Sequence, residues 1–279
     1  MEKENHEGLS LLEWIIALVL IISVWLVFGS QLTTLLGGLV EYFNVTPTPL
    51  LHYLLQHIHF ILLALVLGIF IRWVVKRPLK VFVTDSSTFR WPLFFFSYGV
   101  WTVAIALFML ILSPSSITYS PPKSLSSRLL FMAVALVVTP LQSYIEELLF
   151  RITFWRMLEG RLKSNLLISV LSGLFFTLFH LFNVEVTQAP IKIIPLLYYF
   201  LAGFVLMMMT TNHQGGEAAI GAHVANNLFL ALIVNYQGSS LTSDAWFTLE
   251  APPIWSDLIL LIICGLIVIR YGKRFRVKD

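Results

Sequence analysis

The chain has 279 residues, of which 58% are hydrophobic and 12% charged, and its mean hydropathy is +0.84. Globular proteins carry about 25% charged residues, so this composition excludes a soluble enzyme, a disordered protein and a nucleic-acid binder. The net charge of +3 comes from 18 Lys and Arg against 15 Asp and Glu. Because the basic residues fall in predicted loops, membrane orientation explains them, and the charge does not point to a phosphate-bearing partner. The composition instead predicts an all-α polytopic membrane protein.

Eight apolar runs have the length of a membrane-spanning helix, which needs about 20 mostly apolar residues. No segment between them has the size or composition of a soluble domain, so the sequence predicts a single integral membrane domain over residues 1–279. The lone cysteine, Cys264, excludes an internal disulfide. The predicted helices cover residues 11–28, 50–74, 92–112, 128–155, 166–181, 193–211, 218–236 and 254–271.

The distribution of basic residues predicts the orientation of these helices, because Lys and Arg favour the cytoplasmic side. The side that holds both termini receives most of them, including those in segments 72–80 and 270–278, whereas the opposite side receives only Lys123, Arg128 and Lys192. Both termini are therefore expected in the cytoplasm. The expected location is the inner or plasma membrane of a cell, or the endoplasmic reticulum if the source is eukaryotic.

The fourth predicted helix contains the charged residues Glu146, Glu147 and Arg151. A charge inside a membrane is costly, which makes each one a functional hypothesis. Residues four apart share a helix face, so Glu147 and Arg151 are expected to pair, and a structural role as neutralised charge also explains that pair. Glu146 points about 100° away around the helix axis. Glu146 is therefore not expected to form an ion pair with Arg151.

Two further polar motifs interrupt the fifth and seventh predicted helices. Phe176 and His180 lie four residues apart, and His180 taken alone is typical of an interfacial histidine. His223 and Asn227 are also four apart, and they can donate to a developing oxyanion or bond to a neighbouring helix. The small residues of segment 218–225 predict close approach of another helix. A third group of polar residues is expected to be structural: His52, Gln56, His57, His59 and His213.

Together the three motifs indicate hydrolytic chemistry. A carboxylate and a histidine can take a proton from water, and a second histidine with an amide can hold the oxyanion of a tetrahedral intermediate. The alternative is a zinc site with Glu146, His180 and His223 as ligands and an open position for water, although the sequence lacks the His-Glu-x-x-His motif of many zinc peptidases. Asn is an uncommon zinc ligand. We therefore favour a site without a cofactor and keep zinc as the alternative.

The order of these motifs resembles that of the CAAX-processing and bacteriocin-processing (CPBP, or Abi) intramembrane proteases, a family that includes the Ras-converting enzyme. The family pattern Glu-Glu-x-x-x-Arg, Phe-x-x-x-His and His-x-x-x-Asn is met by Glu146-Glu147…Arg151, Phe176…His180 and His223…Asn227. The resemblance covers a motif-bearing core at about residues 128–236. It implies an eight-helix membrane fold and a glutamate-type protease.

The resemblance also implies roles for these residues and a class of substrate. The implied catalytic residues are Glu146 and His180, which activate water, and His223 and Asn227, which stabilise the oxyanion; the implied supporting residues are Glu147, Arg151 and Phe176. The implied partners are membrane lipids and a membrane-associated protein or peptide substrate, either prenylated or a leader or sorting peptide.

Two hypotheses from other classes stay open beside the protease. In a proton-coupled transporter or ion-binding membrane protein, Glu146, His180 and His223 would relay protons or bind the substrate, although the chain shows no paired halves with discontinuous helices. The other hypothesis is a catalytically silent scaffold or immunity protein. The predicted helices also place His180 near the outer face and Glu146 and His223 in the inner half, unless Pro140 kinks the fourth helix.

Overall fold

The computed structural model describes residues 8–112, 116–122 and 124–275, and it shows an all-α membrane fold with one small sheet. Four basic residues used to predict the orientation, Lys3, Lys123, Arg276 and Lys278, lie outside the described residues. The helices are α1 Leu11–Tyr42, α2 Pro49–Val74, α3 Leu79–Val83, α4 Trp91–Leu112, α5 Leu125–Leu158, α6 Asn165–Leu178, α7 Val184–Thr187, α8 Ile193–His213, α9 Glu217–Leu232 and α10 Ile254–Tyr271. The strands are β1 Ile117–Tyr119, β2 Val234–Tyr236 and β3 Phe247–Leu249.

The polytopic helical fold is confirmed, but the count of eight spans is not. Among the described residues, six helices are long and apolar enough to cross a membrane, namely α1, α2, α4, α5, α8 and α10. With 14 and 16 residues, α6 and α9 reach about 21 Å and 24 Å at 1.5 Å per residue, against a hydrocarbon core of about 30 Å. The apolar sequence continues past the end of each of these helices, but the helix does not. Phe179 follows α6 in a turn, and Val234–Tyr236 after α9 pairs as a strand.

Helix α5 is unusually long, with 34 residues. It continues through Pro140 and contains a widened π-helical turn at Leu148–Thr153, directly after the two glutamates. Glu146 of α5 and His180 just after α6 nevertheless line the same cavity. The expected separation of the two residues is therefore wrong, and α5 is longer and α6 shorter than the predicted helices.

The core lies where α9 packs against α4 and α5, and α6 packs against α8. A Cβ on Gly221 of α9 would lie 2.4 Å from the Phe94 carbonyl oxygen of α4, so the close helix approach predicted from small residues is confirmed. Likewise, a Cβ on Gly173 of α6 would lie 2.8 Å from the Phe200 carbonyl oxygen of α8. Helix α8 also packs against α5 and α9, so the three motif-bearing segments meet around it.

The small sheet forms a cap at one end of the helices, with strand order β1-β3-β2. Strand β3 pairs antiparallel with β1 and parallel with β2. Arg128, at the start of α5, is 2% exposed, and its Nη2 lies 2.8 Å from Asp244 Oδ1 in the segment between β2 and β3. Arg128, which the sequence analysis places on the outer side at the start of the fourth helix, therefore joins α5 to this cap.

Candidate active site

A cavity of about 310 Å³ lies among the helices, and all four residues predicted to be catalytic line it: Glu146, His180, His223 and Asn227. These side chains come from α5, the end of α6 and α9. None of the described residues that line the cavity is Lys or Arg. The rest of the wall mixes polar and aliphatic residues with nine aromatic ones: Trp25, Phe60, Trp101, Phe150, Phe176, Phe179, Tyr198, Tyr199 and Tyr236.

Glu146 extends from α5 into the cavity and is 12% exposed. One carboxylate oxygen, Oε1, accepts a short hydrogen bond from the side-chain amide of Gln142, one helical turn earlier. The other oxygen, Oε2, lies 3.6 Å from His223 Nε2 on α9. Glu146 therefore has one oxygen held by the protein and a second beside the histidine.

Glu147 is fully buried and makes the predicted contact with Arg151, at 3.3 Å between Oε1 and Nη1. The same Oε1 accepts Nδ1–H of His223 at 2.7 Å, a contact that the sequence analysis did not predict. A carboxylate on Nδ1 fixes the tautomer and orientation of an imidazole. In the neutral ring, His223 Nε2 is therefore an acceptor, and in the protonated ring it becomes a donor.

Asn227 lies one turn after His223, on the same face of α9 as predicted. Its Nδ2 is 3.1 Å from His223 Nε2, 3.2 Å from Gln142 Oε1 and 3.4 Å from Ser143 Oγ. An amide nitrogen carries two hydrogens, which the two oxygens share with His223 Nε2 only while that ring is neutral. An oxyanion is a stronger acceptor than any of these groups.

His180 lies just beyond the end of α6 and donates Nδ1–H to the Phe176 carbonyl oxygen at 2.7 Å. Its ring lies between two aromatic rings, with centroids 4.1 Å from Phe176 and 4.2 Å from Tyr199. Tyr199 is held in turn by Asn183, whose Nδ2 donates to its hydroxyl at 2.9 Å. With Nδ1 committed to a carbonyl, His180 Nε2 is the nitrogen that can accept a proton.

Phe176 connects His180 to the buried charges. The Arg151 guanidinium lies 4.1 Å from the centre of the Phe176 ring, within the range of a cation–π interaction. Arg151 is fully buried, and its three side-chain nitrogens make no hydrogen bond within the described residues. Its charge is therefore balanced by the Glu147 carboxylate and the ring face.

Sequence reasoning missed several residues that line the same cavity. Gln56, His57 and His59 of α2 were assigned to the interface as structural, yet all three lie in the cavity wall. Gln56 also accepts from the Thr242 backbone N–H at 2.9 Å, which ties α2 to the cap. The available signal was the spacing of Gln56 and His59, which places both on one face of a helix. Gln142 carried no motif signal.

The zinc alternative requires three ligands around one point. Among the described residues, no three or more His, Cys, Asp or Glu side chains are arranged so that they could hold a metal ion. His223, one of the three candidate ligands, has Nδ1 bonded to Glu147 and Nε2 in contact with Asn227. Both ring nitrogens of His223 are thus in contact with protein groups.

The fold and the cavity define a polytopic membrane protein whose helices bring buried carboxylates, histidines and amides together. Residues 125–229, which include every motif residue, match the model of the family Type II CAAX prenyl endopeptidase Rce1-like. The resemblance predicted from the motifs is thereby confirmed, and this match supports a CAAX-type intramembrane endopeptidase. The chain is also 29% identical to YyaK of Bacillus subtilis (strain 168), a protein described as uncharacterized, over an alignment of 246 residues; the alignment covers 84% of this chain and 80% of YyaK. No solved structure matches the chain significantly.

Proposed function

We propose that the chain is a glutamate-type endopeptidase that hydrolyses a peptide bond of a membrane-associated or lipid-anchored substrate. The observation that carries the proposal is the convergence of Glu146, His180, His223 and Asn227 on one cavity among the helices. We also propose that both termini face the cytoplasm, since most of the Lys and Arg residues fall on that side of the predicted topology.

In the proposed first step, a water molecule lies between Glu146 Oε2 and His180 Nε2. Glu146 takes one proton from this water while His180 accepts a hydrogen bond from the other hydrogen, and the water oxygen attacks the scissile carbonyl carbon. Burial in an aromatic cavity strengthens these interactions because water does not compete for them. This role uses the oxygen of Glu146 that Gln142 does not hold.

In the proposed second step, Asn227 Nδ2 and Nε2–H of protonated His223 donate to the oxyanion. In this step the imidazolium lies beside Glu146, and Arg151 lies against Glu147. The intermediate then collapses, the carbon–nitrogen bond breaks, and Glu146 returns its proton to the leaving amine. Every proton is thus accounted for without a metal.

The test uses the purified full-length protein in liposomes with two reporters. One is a farnesylated peptide that ends in a CAAX sequence, and the other is a peptide of the same sequence anchored by an apolar helix. We expect mass spectrometry to detect cleavage of at least one. Glu146→Gln should abolish the cleavage with the fold intact, whereas Glu41→Gln, the same change at an exposed position at the end of α1, should not. Turnover by a well-folded Glu146→Gln variant, or no cleavage of either reporter by the parent protein, contradicts the proposal.

A further inference from the structure

Gln142 is a buried amide that belongs to none of the motifs. It lies on α5 one turn before Glu146, lines the cavity and is 7% exposed. A polar side chain in this position is costly to bury unless its donor and acceptor are both satisfied. The hydrogen-bond partners of Gln142 therefore indicate its role.

The two ends of the Gln142 amide contact the two different functions of the site. The nitrogen Nε2 donates to Glu146 Oε1, the proposed base, and the oxygen Oε1 accepts from Asn227 Nδ2 at 3.2 Å, the proposed oxyanion donor. The hydroxyl of the adjacent Ser143 also donates to Gln142 Oε1, at 3.4 Å. Gln142 thus joins α5 to α9 through the reacting groups themselves.

The chemistry of the neighbours permits only one orientation of this amide. Turned by 180°, it would place its carbonyl oxygen against the Glu146 carboxylate and its NH₂ against the NH₂ of Asn227, which gives two repulsive contacts. In the observed orientation Glu146 Oε1 is an acceptor and is occupied. Glu146 Oε2, 3.6 Å from His223 Nε2, is then the oxygen left for a proton.

We propose that Gln142 is a positioning residue that holds the Glu146 carboxylate and the Asn227 amide in one fixed relative geometry and thereby selects Glu146 Oε2 as the proton acceptor. This inference rests on the proposed function. It adds a residue that acts through two others and does not itself contact the scissile bond.

The first test compares kcat and KM of three variants on whichever of the two reporters the parent protein cleaves. Gln142→Met keeps the length of the side chain and removes its polar atoms. A hydrogen bond to a charged group of this kind is expected to lower kcat by about ten- to a hundredfold when lost, with KM unchanged because substrate binding is not touched. Leu141→Met is the matched control, since Leu141 is 55% exposed on the outer face of the same turn. It should behave like the parent protein.

The third variant, Gln142→Glu, separates positioning from a merely structural role. It keeps the shape and the acceptor for Asn227 but sets a carboxylate against the Glu146 carboxylate. Positioning predicts that Gln142→Glu loses more kcat than Gln142→Met, whereas a structural need for a polar side chain of this size predicts the reverse. The reverse order, or parent-like turnover by Gln142→Met, overturns the inference.

Two further measurements keep the inference testable if a variant misfolds or the reporters fail. Gln142→Asn keeps the amide but is one methylene too short to reach both partners, and parent-like kcat in this folded variant also overturns the inference. Infrared difference spectra need no turnover: the carboxylate band of Glu146, assigned by subtraction of the Glu146→Gln spectrum, should shift in Gln142→Asn and not in Leu141→Met. An unshifted band refutes the positioning role. Failure of both reporters with a shifted band instead refutes the proposed function and leaves the contact established.

Discussion

Within the part of the chain that the structure describes, two Arg–Glu pairs are buried, and they differ in how fully their polar atoms are hydrogen-bonded. Arg90 at the start of α4 and Glu217 at the start of α9 are joined by side-chain hydrogen bonds of 3.0 Å and 2.7 Å, and the Arg90 backbone N–H donates to the same carboxylate at 3.2 Å. Arg151 and Glu147 are more deeply buried, yet their closest approach is 3.3 Å, and Glu147 gives its short hydrogen bond to His223.

The difference between the pairs separates a structural ion pair from one that serves the site. A buried pair offsets its desolvation only with good geometry and additional hydrogen bonds. The pair of Arg90 and Glu217 has both, and it joins two helices away from the cavity. In the other pair, Glu147 balances Arg151 and at the same time fixes the ring of a proposed catalytic histidine.

The largest expected effect is on stability at the structural pair. Glu217→Ala leaves the Arg90 charge buried without a partner, which should lower the free energy of unfolding by about 3–5 kcal/mol. The double variant Glu217→Ala with Arg90→Leu should regain both stability and turnover. Unfolding titrations in mixed micelles check this prediction, and a single variant as stable as the parent protein contradicts it.

The same pair of variants at the site should give a different pattern. Glu147→Ala should lower the free energy of unfolding by about 3 kcal/mol, because Arg151 is then unpaired, and it should also abolish most turnover. Glu147→Ala with Arg151→Leu should regain the stability but not the turnover, since His223 Nδ1 has lost its acceptor. Recovery of both stability and turnover in this double variant would show that the Glu147–Arg151 pair is structural, like the Arg90–Glu217 pair.

A smaller effect, confined to turnover, is expected at Asn227. Asn227→Ala should lower kcat by roughly a hundredfold or more with stability and KM nearly unchanged, as expected for one oxyanion donor. Asn226→Ala is the matched control, because Asn226 lines the same cavity and donates from Nδ2 to the side-chain oxygen Oδ1 of Asn227 at 3.1 Å. Equal losses in the two variants would show that the role belongs to the cavity wall in general.

No effect at all is expected from removal of metal ions. Prolonged treatment with a chelator should leave turnover unchanged, and elemental analysis of the purified protein should find no stoichiometric zinc, because in the proposed mechanism a carboxylate activates the water. Zinc that is lost in His223→Ala together with activity, with activity restored to the chelated parent protein by added zinc, would replace the glutamate mechanism by a metal one.

The sequence predicted contacts between residues close together in the chain and missed contacts between residues far apart in it. Contacts within one helix, such as Glu147 with Arg151 and His223 with Asn227, follow from a spacing of four residues and were found. Contacts between helices, such as Glu147 with His223, depend on packing that no local pattern contains. Gln142 makes a contact of each kind: its bond to Glu146 spans four residues of one helix and could have been predicted, whereas its bond to Asn227 depends on packing.

The predicted helix lengths were wrong where the apolar composition of a segment does not match its helical extent. Residues 29–42 contain Gly, Ser, Thr and Gln and resemble a loop in composition, so the first helix was predicted to end at residue 28. In the structure α1 continues to Tyr42. At α6 and α9 the error is opposite, since apolar residues continue past the helix into turns and a strand. Hydropathy reports burial in an apolar medium and does not report where the helical hydrogen bonds stop.

The most direct test of the central claim is a double-mutant cycle between Glu146 and His180, measured as kcat on one cleaved reporter. Glu146→Gln and His180→Gln should each lower kcat by roughly a hundredfold or more. If both side chains act on a single water, the double variant should be no slower than the slower single variant, because groups that act as a unit are strongly non-additive. Losses that multiply in the double variant would place the two residues in separate steps and contradict this account.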